Sequence, residues 1–297
     1  MSGETIILDG KKVADDIKEE IAEQVTKIVD QGGKRPHLAA ILVGDDGASH
    51  TYVNNKIKSC KKVGFEYTLL NFPDSISENK LMSEIERINA DDDIDGLIVQ
   101  LPLPEHISST KVTERIMPEK DVDGFTNLNY GKITSKNPGL MPATPYGIVE
   151  LLKRYDIDIL GKHCVMVGNS RTVGAPMSII MSYHENATVT VCHIHTKNLE
   201  EHTKKADILI VATGKPGLIK GDMVKDGVIV VDVGITRIAS DDAPRGYVLK
   251  GDVEFDEVAP KSSYITPVPG GVGPMTIASL LLNTLKASQS RAKGKVL

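Results

Sequence analysis

Short apolar runs alternate with amphipathic stretches along the whole chain, and this rhythm sets the fold class before any single residue is weighed. In the first half, 38–43, 67–71 and 96–101 have the length and apolar character of buried strands. Helical patterns at 13–30, 49–63 and 78–89 lie around them, the second with Ser49 suited to cap its start and Gly64 to stop it. The runs through Met117-Pro118 and Asn137-Pro138-Gly139 read as a descent into a connecting region, after which Thr144-Pro145 reads as the cap and first residue of a helix across 146–155.

The second half restarts the rhythm, with strands expected at 163–167, 188–192, 208–212 and 228–233, a helix at 174–183 and a last apolar helix at 275–288. Alternation of this kind implies an α/β protein with largely parallel sheets. The expected division is a first α/β domain over 1–145, rejoined by the C-terminal helix 274–297, and a second, doubly wound domain over 146–273. No internal repeat is legible. Three expected strands run into glycine, at Gly168, Gly214 and Gly234. Such glycines are either ordinary tight turns or the bare edge of a nucleotide cleft, since ligands of doubly wound sheets lie outside the carboxyl ends of the strands.

Charge and cysteine content remove several classes of function. The net charge is −5 and lysines are interspersed with acids, so no basic stripe offers a track for nucleic acid. The three cysteines, Cys60, Cys164 and Cys192, show no paired spacing, which points to a reducing compartment rather than a disulfide frame or zinc cluster. The first ten residues lack a basic flank followed by an apolar core, and no run approaches the ~20 apolar residues that span a bilayer. A cytosolic protein without membrane or nucleic-acid partners is expected.

Candidate chemistry sits in a few segments. Gly168-Asn169-Ser170-Arg171-Thr172-Val173-Gly174 lies between an expected strand and an expected helix, the setting of a dinucleotide-binding turn, although Ser170 stands for the second glycine and the last glycine comes one residue late. A hydroxyl and free amides at a helix start suit an anionic phosphate. After the next strand, Cys192-His193-Ile194-His195-Thr196-Lys197 offers no acid for ribose hydroxyls, and its basic neighbours suit a 2′-phosphate better. His193 and His195 alternate on a strand end without a third ligand, so no metal site is expected.

In the first half, Tyr52 and Lys56 share one helical face while Lys58 and Lys62 lie on another. A buried amine shifted toward neutrality exchanges protons at physiological pH, which makes Lys56 the candidate proton carrier; the alternative is a solvated helix lysine. Gln100, followed by Leu101-Pro102-Leu103-Pro104, either holds its amide against that lysine or caps a strand. Asp123, in Asp121-Val122-Asp123-Gly124, either aims a carboxylate between the two halves or is a turn acid. The run from Thr266 to Thr276 mixes residues that fix the backbone with residues that free it, and reads as a shaped loop.

Tyr52-Val53-x-x-Lys56, Gly96-Leu97-Ile98-Val99-Gln100-Leu101-Pro102-Leu103-Pro104, Pro118-Glu119-Lys120-Asp121-Val122-Asp123-Gly124 and Pro267-Val268-Pro269-Gly270-Gly271-Val272-Gly273-Pro274-Met275-Thr276 together resemble the bifunctional methylenetetrahydrofolate dehydrogenase/methenyltetrahydrofolate cyclohydrolase family, over nearly the whole chain. The resemblance implies Lys56 as general acid/base, Gln100 as its hydrogen-bond partner, Tyr52 as the ring stacked on a folate and Asp123 as the carboxylate that reads the pterin's amino edge. It adds Val99, Leu101, Pro269, Gly270 and Gly273 to the folate site. For the cofactor it implies Gly168, Asn169, Ser170, Arg171, Val173, Gly174, His193, Thr213, Gly214, Gly234 and Ile235. The implied fold pairs an N-terminal catalytic domain with a Rossmann-like nicotinamide-binding domain, in a cytosolic homodimer.

Many NADP-using relatives carry arginine where this chain has Asn169, or serine or arginine near Ile194. NADP is the expected cofactor, because no acid replaces those groups, and NAD is the alternative. Two other classes compete: another two-domain dehydrogenase, acting on amino or hydroxy acids, and a folate or nucleotide binder without catalysis. The first has no reason for the loop at 269–274, and the second none for Lys56, Gln100 and Asp123 together.

Overall fold

The computed structural model describes residues 4–136, 139–243 and 246–294, apart from the side chains of Ala48, Ser49 and Thr51. In chain order its strands are β1 (Ile6–Ile7), β2 (His37–Val43), β3 (Glu66–Phe72), β4 (Gly96–Val99), β5 (His163–Val167), β6 (Thr188–Cys192), β7 (Ile208–Val211), β8 (Val228–Asp232), β9 (Thr236–Ala239), β10 (Tyr247–Lys250) and β11 (Ser262–Ile265). The chain divides into two compact units. One joins the start of the chain, through Ala14, to Thr144–Thr276; the other joins Asp15–Ala143 to the stretch from Ile277 onward. The first residues, expected with the first half, group with the second because β1 pairs in parallel with β11.

In the Asp15–Ala143 unit, β3-β2-β4 form a parallel sheet. Central β2 is apolar and buried almost throughout, as a strand covered on both faces must be. The helix Glu78–Asn89 buries Leu81, Ile85 and Ile88 against it and is capped by Ser77, whose hydroxyl accepts from the Lys80 amide. At the other end of that helix the fully buried Lys120 donates from Nζ to the carbonyls of Ile88 (2.7 Å) and Asp91 (2.5 Å). Burial pushes its ammonium down to about 8. The Leu97 amide donates to the Lys120 carbonyl at 2.7 Å, which lays the segment leading to Asp123 beside β4.

The other unit is built on a six-stranded parallel sheet, β1-β11-β8-β7-β5-β6, with the antiparallel pair β9-β10 outside it. The helix Val272–Ala292 is longer than the 275–288 expected, and its residues from Ile277 on return to the Asp15–Ala143 unit. There the buried Asn283 donates from Nδ2 to the carbonyls of both Val122 and Met141, each at 2.8 Å.

Some boundaries differ from expectation for local reasons. The strand expected through Leu101 stops at Val99, although the Gln100 amide still donates to the Ile41 carbonyl at 2.9 Å. The helix with expected cap Ser49 begins at Gly47, and the Ser49 side chain lies outside the described residues, as do Asn137 and Pro138. Thr144 is no cap, because its helix already begins at Ala143; its hydroxyl meets that of Thr276 at 3.0 Å. The helix expected over 174–183 is α-helical through Ile179 and closes in a π-turn, Ile180–His184. Strands β1, β9, β10 and β11 are not among those expected; β1 has two residues, and β9, β10 and β11 lack the fully apolar run that marks the equally short β4 and β7.

A correspondence that the sequence hides emerges at the amino ends of the sheets. His37, opening β2, donates its amide to Asp95 and pairs Nε2 with Thr68 Oγ1 at 2.8 Å, while Lys34 pairs with Asp95 at 3.2 Å. His163, opening β5, donates its amide to Asp207 and pairs Nε2 with Thr190 Oγ1 at 2.9 Å, while Lys225 pairs with Asp207 at 2.6 Å. The strand orders β3-β2-β4 and β6-β5-β7 match as well. One corner has been built twice, from residues at different spacings.

Replacing Asn283 by alanine leaves two buried carbonyls without donors, at about 1–3 kcal/mol for an unsatisfied group. A fall in the urea midpoint of the unit that holds it, by an equivalent of about 2–4 kcal/mol, is the expected result.

Candidate active site

In the Asp15–Ala143 unit the helix Gly47–Val63 carries Tyr52 and Lys56 one turn apart, with Lys56 Nζ 5.8 Å from the Tyr52 ring centroid. Lys56 is only 7% exposed, on the face it shares with buried Val53, Cys60 and Val63; Lys58, Lys61 and Lys62 are exposed. Its Nζ donates to Gln100 Oε1 at 3.2 Å. Gln100 Nε2 in turn donates to the Leu101 carbonyl at 2.7 Å, which fixes the amide with its oxygen toward the lysine. Gln100 sits where β4 has ended after the buried Val99, just before the cis peptide Leu101–Pro102.

Asp123 belongs to the same cluster. Burial raises its carboxyl pKa above the usual range, the Lys56 charge opposes the rise, and Asp121 adds to it. The Tyr52 phenol is raised by burial and by the Asp123 charge, so Asp123 lies within electrostatic reach of both. Asp121, two residues earlier, is spent on structure: its carboxylate accepts from the amides of Phe125 and Thr126 and from Asn129 Nδ2. The Asp123 backbone is locked, its carbonyl accepting from the Ala143 amide at 3.2 Å. Gly124 follows at φ +72°, where a Cβ would lie 2.5 Å from the Pro142 nitrogen. Behind Lys56, burial pushes the Cys60 thiol up to about 12 and makes it unreactive. An amine held by an amide, beside a ring and a carboxylate of raised pKa, is equipped to move protons on a flat polar ligand.

In the other unit, Gly168, Asn169, Ser170, His193 and Thr213 line one cavity of about 750 Å³. Ile194, His195, Thr196 and Lys215 share the lining, which contains no carboxylate. The turn differs from expectation in one respect: the amides of Val173 and Gly174 are not free, because both donate to Ser170 Oγ, at 3.2 and 3.4 Å. The histidines are held by a tight turn, with the His193 amide on Thr196 Oγ1 at 2.8 Å and the His195 amide on His193 Nδ1 at 3.2 Å. Arg171, Val173, Gly174, Gly214, Gly234 and Ile235 are not among the lining residues.

Of the strand-end glycines, only Gly214 has open space on its Cβ side. A side chain at Gly168 would overlap the Ala212 carbonyl, and one at Gly234 the Asp252 carboxylate, so these two are required by the chain's own packing. In the proline-rich loop, Gly270 adopts φ +108° and its carbonyl accepts from the Lys11 amide at 2.8 Å. Pro269, after a second cis peptide, is exposed, and Gly273 has open space beside it. Lys215 has no motif to announce it as a lining residue, Asp232 and Asp252 none to announce their place among the loops, and Asn283 none on its helix; single polar residues after a strand or on a helix carry no periodic signal.

The description "tetrahydrofolate dehydrogenase/cyclohydrolase, catalytic domain" matches residues 8–123, and "tetrahydrofolate dehydrogenase/cyclohydrolase, NAD(P)-binding domain" matches 142–292. The chain belongs to the tetrahydrofolate dehydrogenase/cyclohydrolase family. It is 55% identical to the bifunctional protein FolD of Christiangramia forsetii over 293 residues, covering 98% of each chain. It is 58% identical to that of Cytophaga hutchinsonii over 285 residues, covering 95% of this chain and 98% of the other. Among solved structures, the bifunctional FolD dehydrogenase/cyclohydrolase of Campylobacter jejuni superposes with TM-score 0.92 at 47% identity, covering 97% of this chain and 99% of that one. The Trypanosoma brucei enzyme, complexed with NADP and an inhibitor, gives TM-score 0.94 at 36% identity, covering 98% and 99%. Among the described residues of this family member, no group of three or more His, Cys, Asp or Glu is placed to hold a metal ion, and no helix is long and apolar enough to cross a membrane.

Proposed function

We propose that the chain oxidises 5,10-methylenetetrahydrofolate to the 5,10-methenyl compound with NADP and then hydrolyses that product to 10-formyltetrahydrofolate. The observation that carries the reading is the buried Lys56 amine on Gln100, beside Tyr52 and Asp123, in a chain of this family. In the first step a hydride leaves the methylene carbon, and NADP, when bound, supplies the acceptor for it. The cavity fits such a group chemically: Asn169, Ser170, Thr196 and Thr213 offer polar contacts, His193, His195 and Lys215 are basic, and no carboxylate opposes the phosphates.

The second step is water attack on the methenyl carbon and opening of the ring, which requires a proton to be taken from water and one delivered to a nitrogen. Lys56 is assigned both transfers, and Gln100 holds its Nζ in place. The Tyr52 ring stacks on the folate, with Val99 and Leu101 as further contacts. Asp123 accepts from the amino edge of the pterin, for which the carboxylate must be ionised. We further assign the unit of 15–143 with the final helix to folate and the six-stranded unit to NADP. A homodimer joined through the cofactor units is supported by the open edge strand β6, where Val191 is 37% exposed. Three buried free thiols support a reducing, cytoplasmic setting.

Lys56→Met keeps the stem and removes the amine, so hydrolysis of methenyltetrahydrofolate should fall ~10²–10⁴-fold, the usual worth of general acid–base catalysis. Hydrolysis at the wild-type rate refutes the assignment. For Asp123, the raised pKa sets the sign with pH: as pH falls the carboxyl gains its proton earlier than an ordinary aspartate, so folate affinity should decline on the acid side from a higher pH than usual. Asp123→Asn should remove that limb and weaken folate binding by roughly 1.5–3 kcal/mol, read by calorimetry at several pH values. The cofactor preference should be NADP over NAD by a shallow margin, because the cavity offers single basic groups and no planar fork. Asn169→Arg should raise the NADP-to-NAD ratio of kcat/KM, with added salt eroding the gain.

A further inference from the structure

Two buried carboxylates lie behind the cofactor cavity. Asp232 closes β8 and is 4% exposed; Asp252 follows β10 and is 0% exposed. Among the described residues neither meets a cation. Asp252 Oδ2 accepts from the Thr213 amide at 2.5 Å, the Thr213 hydroxyl at 2.9 Å and the Gly214 amide at 2.9 Å. Asp232 Oδ1 accepts from the amides of Gly234 (2.9 Å) and Asp252 (3.0 Å), and its Oδ2 from the Val253 amide (3.0 Å). Asp252 Oδ1 has no hydrogen-bond partner and occupies the notch left by the missing side chain of Gly234. Gly251 is required in the same way by the Asp232 carboxylate, which a Cβ there would overlap.

The two carboxylates thus gather three segments: the one leaving β7, the one leaving β8, and the one after β10. Placing two anions in the interior without a counter-cation is costly, and burial pushes Asp232 up to about 6 in spite of its three N–H donors. The first segment carries Ala212, Thr213 and Lys215 into the cavity lining, and every bond that Asp252 makes to it falls on Thr213 or Gly214.

We infer that Asp252 is a positioning residue for NADP, holding the Thr213–Gly214 backbone in the form that the cofactor cavity requires, with Asp232 and Gly234 keeping the carboxylate in register. The inference rests on the proposed cofactor reading. Asp252 does not line the cavity; it acts through Thr213 and Gly214.

The test uses the full chain and three variants. Asp252→Ala removes all three bonds to the loop. Asp252→Asn keeps one acceptor oxygen in the same shape. Gly234→Ala leaves Asp252 in place chemically but drives a Cβ into its carboxylate. Calorimetric NADP affinity should fall by roughly tenfold or more in Asp252→Ala, as expected when hydrogen bonds to a charged acceptor are lost. Gly234→Ala should show a loss of the same order, and Asp252→Asn a smaller one. In the unliganded protein, amide hydrogen exchange at Thr213 and Gly214 should quicken in the same order. A merely structural role would lower the melting temperature and the folate and NADP affinities together, and that pattern overturns the inference. So does unchanged NADP affinity in Asp252→Ala and Gly234→Ala. A wild-type protein that takes up no NADP overturns the cofactor reading, and the positioning role with it.

Discussion

Strands buried on both faces leave no room for chemistry inside the parallel sheets, and this constraint organises each unit. Strands β2, β4, β7 and β8 are almost wholly buried, so a polar side chain inside them would meet only apolar neighbours. While Tyr52 and Lys56 stand on the helix Gly47–Val63, several polar residues stand where the ladders stop: Gln100 past β4, His193 past β6, Thr213 past β7 and Asp232 closing β8. In each case one last backbone bond sets the departure point, as with the Gln100 amide on Ile41 and the Ala212 amide on Val167.

The amino ends of the same strands do the opposite work. There the paired His/Thr/Asp/Lys corners consume their hydrogen bonds among themselves, closing the ends of β2 and β5. At that edge the amides and both ring nitrogens of His37 and His163 are paired, whereas at the other edge of the six-stranded sheet His193 and Thr213 line the cavity. The contrast is physical: a corner with every donor matched has nothing left to offer a ligand.

Buried charge shows the same division of labour. Lys120 and Lys56 are both nearly inaccessible, yet Lys120 is satisfied by two carbonyls at the end of a helix and serves as a cap, whereas Lys56 has one amide oxygen and a ring beside it. Asp121 and Asp123 divide in the same manner, the first accepting three hydrogen bonds and the second standing near Lys56 and Tyr52. Asp252 is intermediate, with one oxygen fully used and the other bare.

From the sequence by itself came the alternation of strands and helices, the shared face of Tyr52 and Lys56, and the placing of glycine at strand ends, because each rests on short-range periodicity or on backbone restrictions of single residues. Only the tertiary structure decided which partner each polar group found. It set Gly234 against the Asp252 carboxylate, spent the Val173 and Gly174 amides on Ser170, and carried the start of the chain to β11. It also brought Asn283 to Val122, across 161 positions of sequence. Hydrogen bonds of that kind depend on distances in space that no local pattern encodes, and a two-residue strand such as β1 has no period of its own to read.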